Sequence, residues 1–146
     1  MAKKTTQTDV LETRRSKVYG LGCYTLVPLK RRKMFAAYKG EVLRGKRRIM
    51  ARIHEQEERG DIKVIQLGNN VAIDGASGGD ATAYINHSCA PNAFMRTVAA
   101  DKIYFYALRD IAAGEEITID YRDPGHPAPE ACRCGAPNCR SLRQRK

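Results

Sequence analysis

The chain has 146 residues, enough for one domain built around one modest core. A hydrophobic fraction of 42% with only 7% of the chain aromatic fits a soluble globular protein. No stretch approaches the roughly 20 apolar residues that a bilayer span needs, which excludes a membrane helix. The formal net charge of +10 is large for this size and suits a polyanionic partner, a nucleic acid or nucleoprotein.

Residues 1–15 carry charge but no apolar run, so they do not form a secretory signal and read as a basic flexible arm. The five cysteines, Cys23, Cys89, Cys132, Cys134 and Cys139, are odd in number and lack such a signal. That argues against a disulfide framework and for an intracellular, reducing setting.

Residues 18–29 read as a glycine turn followed by a short strand ended by Pro28. A second extended stretch covers residues 34–43, punctuated by Gly40. After Gly45, up to Arg59, there is neither Gly nor Pro, and Ile49, Met50 and Ile53 recur at helical spacing. This predicts a helix ended by Gly60, although its basic start and acidic end oppose the helix dipole. Strands follow at residues 63–67 and 71–73, joined by a Gly68-Asn69-Asn70 turn, then at 103–108 and 117–119. Residues beyond Arg122 are rich in Pro and Gly. Short strands with one helix make the fold mostly β.

Three segments carry chemistry. The run Tyr84-Ile85-Asn86-His87-Ser88-Cys89-Ala90-Pro91-Asn92 is polar where a strand should be apolar, and each of its polar groups needs a partner if buried. The run Gly114-Glu115-Glu116-Ile117-Thr118-Ile119-Asp120-Tyr121 is a turn and a strand ending in a tyrosine that could simply pack. The third, Cys132-x-Cys134-x4-Cys139, can wrap one tetrahedral Zn²⁺, and a closed structural site needs a fourth ligand. Cys89 is the obvious fourth, pinning the tail beside Asn86 and His87. Cys23 is left as a small buried hydrophobe.

In this order the three segments resemble a SET-domain protein lysine methyltransferase with a post-SET zinc motif, over roughly residues 16–142. Gly20-Leu21-Gly22 is similar to the family's first glycine motif, and Tyr38-Lys39-Gly40-Glu41-Val42 to its second strand. The resemblance implies a β-clip fold, with several short sheets around a pseudoknot, one inserted helix and a zinc-bound C-terminal segment. It divides the chain into the arm, a SET domain at 16–122 and a post-SET segment with a basic tail at 130–146.

It also implies roles. Gly20, Leu21, Gly22, Tyr84, Asn86, His87 and Leu142 would contact S-adenosylmethionine, which leaves as S-adenosylhomocysteine. Tyr121 would be the catalytic tyrosine, Tyr38 and Ile119 would line the substrate channel, and Cys89, Cys132, Cys134 and Cys139 would hold zinc. The substrate would be the lysine of a basic protein, a histone or histone-like protein. Acidic candidates to receive it are Asp74, Asp80, Glu115 and Asp120. A second copy of the chain is a further candidate partner, completing the channel; a membrane is not.

The sequence departs from the family at Ala83-Tyr84, where Arg-Phe is frequent, and at Lys63, where an ungapped count places a wall tyrosine. A basic run at residues 30–34 replaces a glycine-containing turn, and Leu142 stands where an aromatic cover is expected. Ile119 replaces a common Tyr or Phe, leaving room for di- or trimethylation. The Ala83, Lys63 and Leu142 departures slightly favour the competing reading, a non-catalytic zinc-containing basic module that binds nucleic acid or chromatin.

Overall fold

The computed structural model describes residues 7–17, 20–68, 70–120 and 137. Within them lie a single helical turn α1 (Gln7–Val10), strands β1 (Leu11–Arg15), β2 (Leu21–Thr25), β3 (Met34–Ala37) and β4 (Glu41–Arg44), and helix α2 (Lys46–Arg59). Then follow β5 (Val64–Gln66), β6 (Val71–Asp74), a 3-10 turn (Ala81–Tyr84), β7 (Asn86–His87), β8 (Ala93–Val98), β9 (Lys102–Ala107) and β10 (Glu116–Ile119). They form three small sheets, β1-β2-β10-β7, β3-β9-β8 and β4-β6-β5. The mostly β class expected from sequence is what the chain adopts.

The described part of the expected flexible arm is ordered. β1 pairs antiparallel with β2, from Leu11 opposite Thr25 to Arg15 opposite Leu21. The Gln7 side chain reaches across to the backbone of Ala37 and to the Asp80 carboxylate. The segment looks like a tail in sequence because β1 is an edge strand: Leu11 is its one buried anchor, and Thr13, Arg14 and Arg15 point to solvent, as edge strands require.

Helix α2 begins and ends where its glycines lie. Gly60 takes φ of +72° and closes the helix through its N–H to the Gln56 and Glu57 carbonyls, a conformation that costs glycine little. The helix buries Ile49 against Leu43, Val64 and Ala72, with Ile53 packed alongside. Its unfavourable charge order is offset by an ion pair to the sheet. Arg52 bridges Glu41 and Asp74, while Gln56 donates to the same buried Asp74.

The main core gathers Phe105, Ile103, Ile111, Ile117, Ile119, Ile85 and Cys23. β9 supplies it by strict alternation, with Ile103, Phe105 and Ala107 turned inward. Burial pushes the Cys23 thiol up to about 12, with Asp80 and Glu116 adding to it, so it sits as a neutral apolar group, as its leftover place in the cysteine arithmetic suggested.

Among the described residues, two that are not glycine hold positive φ. Ala99, at +60°, reverses the chain between β8 and β9, and Arg32, at +67°, is the third residue of the turn entering β3. For an L-residue this region costs about 1–2 kcal/mol relative to the right-handed one.

Candidate functional site

β10 is the middle of the site. It runs antiparallel to β2, with Glu116 opposite Tyr24 and Ile117 opposite Cys23, and parallel to β7, with Thr118 opposite Asn86 and Ile119 opposite His87. Two residues of the polar run singled out in sequence, Asn86 and His87, thus form a buried strand, and polar groups along the run find partners. Asn86 Nδ2 donates to the Leu21 carbonyl and to Glu116 Oε2, both at 3.0 Å. The Asn92 amide spans β10, accepting from Thr118 N at 2.9 Å and donating to the Glu116 carbonyl at 2.8 Å. Ser88 N donates to the Ile119 carbonyl at 2.9 Å.

His87 and Cys89 are buried together. His87 Nε2 lies 3.3 Å from Cys89 Sγ, and its Nδ1 lies 3.7 Å from Asp120 Oδ1. The imidazole is thus held between a thiol and a carboxylate, a setting in which its orientation is fixed from both ring nitrogens.

Glu116 is the hub that sequence reading passed over as one letter of a motif. Besides Asn86, its carboxylate accepts from Ser16 Oγ at 2.8 Å and from the Tyr24 hydroxyl at 3.2 Å. Four donor contacts from β2, β7 and the β1–β2 connection converge on it. A signal was present: a glutamate at the head of an otherwise buried strand needs nearby donors, and Asn86 was already marked as a polar residue in need of a partner.

The first glycine motif sits on the same sheet. Gly20 has φ of +47°, and Leu21 is 49% exposed at the edge of the turn. A Cβ on Gly22 would stand 2.5 Å from Glu116 Oε2, so Gly22 is required here by the packing of Glu116.

Tyr84, Lys63 and Ala83 line a separate cleft of about 620 Å³, together with Leu11, Glu12, Thr13 and residues of the 75–81 loop. This volume is in the usual range for small-molecule sites. Lys63 Nζ stands 5.0 Å over the Tyr84 ring and pairs with Asp61 at 2.9 Å. Tyr38 is buried behind this wall. Its hydroxyl donates to the Lys63 carbonyl and fills the space a side chain on Gly75 would take, and its ring meets Phe105 edge-on. The structure therefore brings Gly20, Leu21, Gly22, Asn86, His87, Cys89 and Ile119 to one sheet. Tyr84 and Tyr38 stand at the neighbouring cleft.

The acidic residues expected to receive a basic substrate are engaged in the fold. Asp74 is buried under Arg52 and Gln56, Asp80 caps the 3-10 turn through Thr82 N, Glu115 pairs with Arg109, and Asp120 faces His87. Burial raises the Asp74 pKa, but hydrogen bonds from Gln56, Arg52 and the Ala76 N–H outweigh it and hold the carboxyl below its ordinary value. Hydrogen bonding from Arg109 likewise lowers Glu115.

Tyr121, Cys132, Cys134, Cys139 and Leu142 lie outside the described residues. Among the described residues no group of three or more His, Cys, Asp or Glu side chains could hold a metal ion, and no helix is long and apolar enough to cross a membrane.

Comparison with known proteins fits this geometry. Residues 12–122 match the SET domain family. The chain is 38% identical over 134 residues to histone-lysine N-methyltransferase trr of Drosophila melanogaster, covering 86% of this chain and 5% of that protein. It is 39% identical over 136 residues to human histone-lysine N-methyltransferase 2D, covering 86% and 2%. An H3 lysine-4 specific histone-lysine N-methyltransferase of Schizosaccharomyces pombe is 34% identical over 135 residues, covering 86% and 14%. The chain thus spans a small fraction of the length of these relatives, and the family match takes in the β1-β2-β10-β7 sheet from Glu12 onward. This chain belongs to the SET-domain family.

Proposed function

We propose that the chain transfers methyl groups from S-adenosylmethionine to lysine ε-amines of a basic protein, a histone or histone-like protein. The observation that carries this reading is the convergence of the Gly20–Gly22 turn, Asn86 and His87 on β10, the strand that runs directly into Asp120 and Tyr121 in sequence. The names of the relatives, all histone-lysine N-methyltransferases, support the substrate class and an intracellular, nuclear or nucleoid setting.

In this reading the Leu21 turn, Asn86 and His87 hold the cofactor, with Tyr84 and Leu142 covering it. The available residues suit such a ligand: a small-residue turn with an exposed edge lies on one side, and a half-apolar cleft of small-molecule size on the other. The bound cofactor supplies a methyl group already activated by a positive sulfur. The chain's part is to align an amine with it, which is where much of the rate arises. The amine must arrive neutral although its ordinary pKa is about 10.4, and a dry channel past Tyr38 and Ile119 disfavours the ammonium form. The Tyr121 hydroxyl orients the amine and stabilises charge at the reacting end. Ile119, lacking the hydroxyl and bulk of Tyr, leaves room for a second and third methyl.

Cys89, Cys132, Cys134 and Cys139 would together hold one zinc ion, whose role would be structural. The positive surface of the chain contacts nucleic acid or nucleoprotein while the site reads a neighbouring protein.

Incubation of the chain with labelled cofactor and a panel of basic proteins tests the reading. Label should appear on lysine and vanish with Tyr121→Phe. Cofactor binding with no transfer to any protein would support the non-catalytic module instead.

A further inference from the structure

The turn that departs from the family's glycine-containing pattern is built from Lys30, Arg31, Arg32 and Lys33, all exposed. It is a tight turn, closed by Lys33 N donating to the Lys30 carbonyl at 3.1 Å. Three further hydrogen bonds fasten it to the body of the domain. Arg32 N donates to the Ala107 carbonyl at 2.8 Å, Ala107 N to the Lys33 carbonyl at 3.2 Å, and Arg31 N to Asp110 Oδ1 at 2.9 Å. The third position of such a turn favours glycine when φ is positive, yet Arg32 holds φ of +67° there.

A bulky cation thus occupies a position where glycine would be less strained, on a backbone that is pinned from three sides. Among the described residues, none of the four side chains takes part in an ion pair or hydrogen bond. Asp110 accepts the Arg31 backbone N–H and Glu115 pairs with Arg109, so neither carboxylate forms an ion pair with a side chain of the turn. Four like charges on consecutive residues repel one another, and backbone strain retained alongside that repulsion is a mark of function.

We propose that this turn is a contact for the phosphate backbone of double-stranded DNA. The inference deepens the reading of the positive surface given above and is independent of methyl transfer. A second cationic cluster favours an extended polyanion over a short acidic peptide. Arg44, Lys46, Arg47 and Arg48 are exposed where β4 meets α2, and Arg44 pairs with Asp101 just before β9 begins. The basic turn is bonded to Ala107, at the other end of β9. The two clusters are therefore separated along that strand by about 20 Å, from the rise per residue of a strand. A duplex presents a phosphate about every 1.7 Å of its axis and can serve both at once.

The test is fluorescence anisotropy of a labelled DNA duplex against salt, with the full chain and no cofactor. A variant carrying Lys30→Gln, Arg31→Gln, Arg32→Gly and Lys33→Gln should bind more weakly and lose about 3–4 from the slope of log K against log salt. Arg32→Gly alone should lose about 1 from the slope while raising Tm, because it removes a contact and relieves the backbone together. Methylation of a basic peptide by both variants should match the unmodified chain, which separates failure of this proposal from failure of the enzymatic one. An unchanged salt slope in the quadruple variant, no DNA binding by the unmodified chain at low salt, or polyglutamate binding as tightly as duplex would each overturn the proposal.

Discussion

Asn86 and Glu116 are locked to each other: the Asn86 amide gives one hydrogen to the Glu116 carboxylate and one to the Leu21 carbonyl, each at 3.0 Å. Both amide hydrogens are consumed in joining β7 to β10 and to the glycine turn. Whatever Asn86 offers a cofactor must come from its backbone or its Oδ1, while its side-chain nitrogen sets the shape of the turn.

This gives the first prediction. Glu116→Ala leaves Asn86, Ser16 and Tyr24 without a shared acceptor, and unsatisfied buried donors cost about 1–3 kcal/mol. Thermal melts should show that loss, and calorimetric titration with S-adenosylhomocysteine should show affinity weakened by about tenfold, as the loss of one ordinary hydrogen bond would give. Unchanged cofactor affinity would mean that the turn does not depend on Glu116.

The second concerns acid. Asp74 has a folded pKa below its ordinary value, so it contributes stability above its unfolded pKa, near 3.9, that is lost as pH falls through the lower folded value. Denaturant melts should therefore weaken below about pH 4, and Asp74→Ala should remove most of that dependence. At neutral pH the same variant should be destabilised by roughly 1–3 kcal/mol, since it removes the acceptor of the buried Gln56 amide and leaves Arg52 with Glu41 alone. A variant as stable as the unmodified chain at pH 7 would contradict this account of how α2 is held.

The third follows from Ile119, which is buried and paired in register with His87. Mass spectrometry at long reaction times should find di- and trimethyl-lysine, and Ile119→Tyr should shift the product toward monomethyl-lysine. Only monomethyl product from the unmodified chain would remove the proposed role.

The fourth concerns metal. Elemental analysis of the purified chain should find about one zinc per chain, the number that a single four-ligand site accommodates. Cys89→Ser should lower the content and the melting temperature together, because metal binding of this kind is coupled to folding. Full zinc content in that variant would exclude Cys89 as a ligand.

Much of this was legible in the sequence, for identifiable reasons. Helix α2 lies between two glycines, and the β5–β6 hairpin is marked by Gly68 and Asn70; such punctuation reads directly. β8 was missed because its reversal into β9 uses Ala99 in a conformation usually given to glycine or asparagine. β1 was missed because an edge strand need bury only Leu11. The polar character of residues 84–92 located the site, but the identity of its hub did not follow. Glu116 acquires its role only when three separate segments are brought onto it. The carboxylates expected to receive substrate show the converse: one that looks available in sequence can already have a partner in the fold, as Asp74 has in Arg52 and Glu115 in Arg109.

The central claim is most directly tested by intact-mass analysis of a histone incubated with the chain and S-adenosylmethionine, beside the Tyr121→Phe variant. The account predicts mass increments of whole methyl groups that map to lysine and are lost in the variant. A chain that binds S-adenosylhomocysteine yet leaves every histone and basic protein unmodified would contradict it.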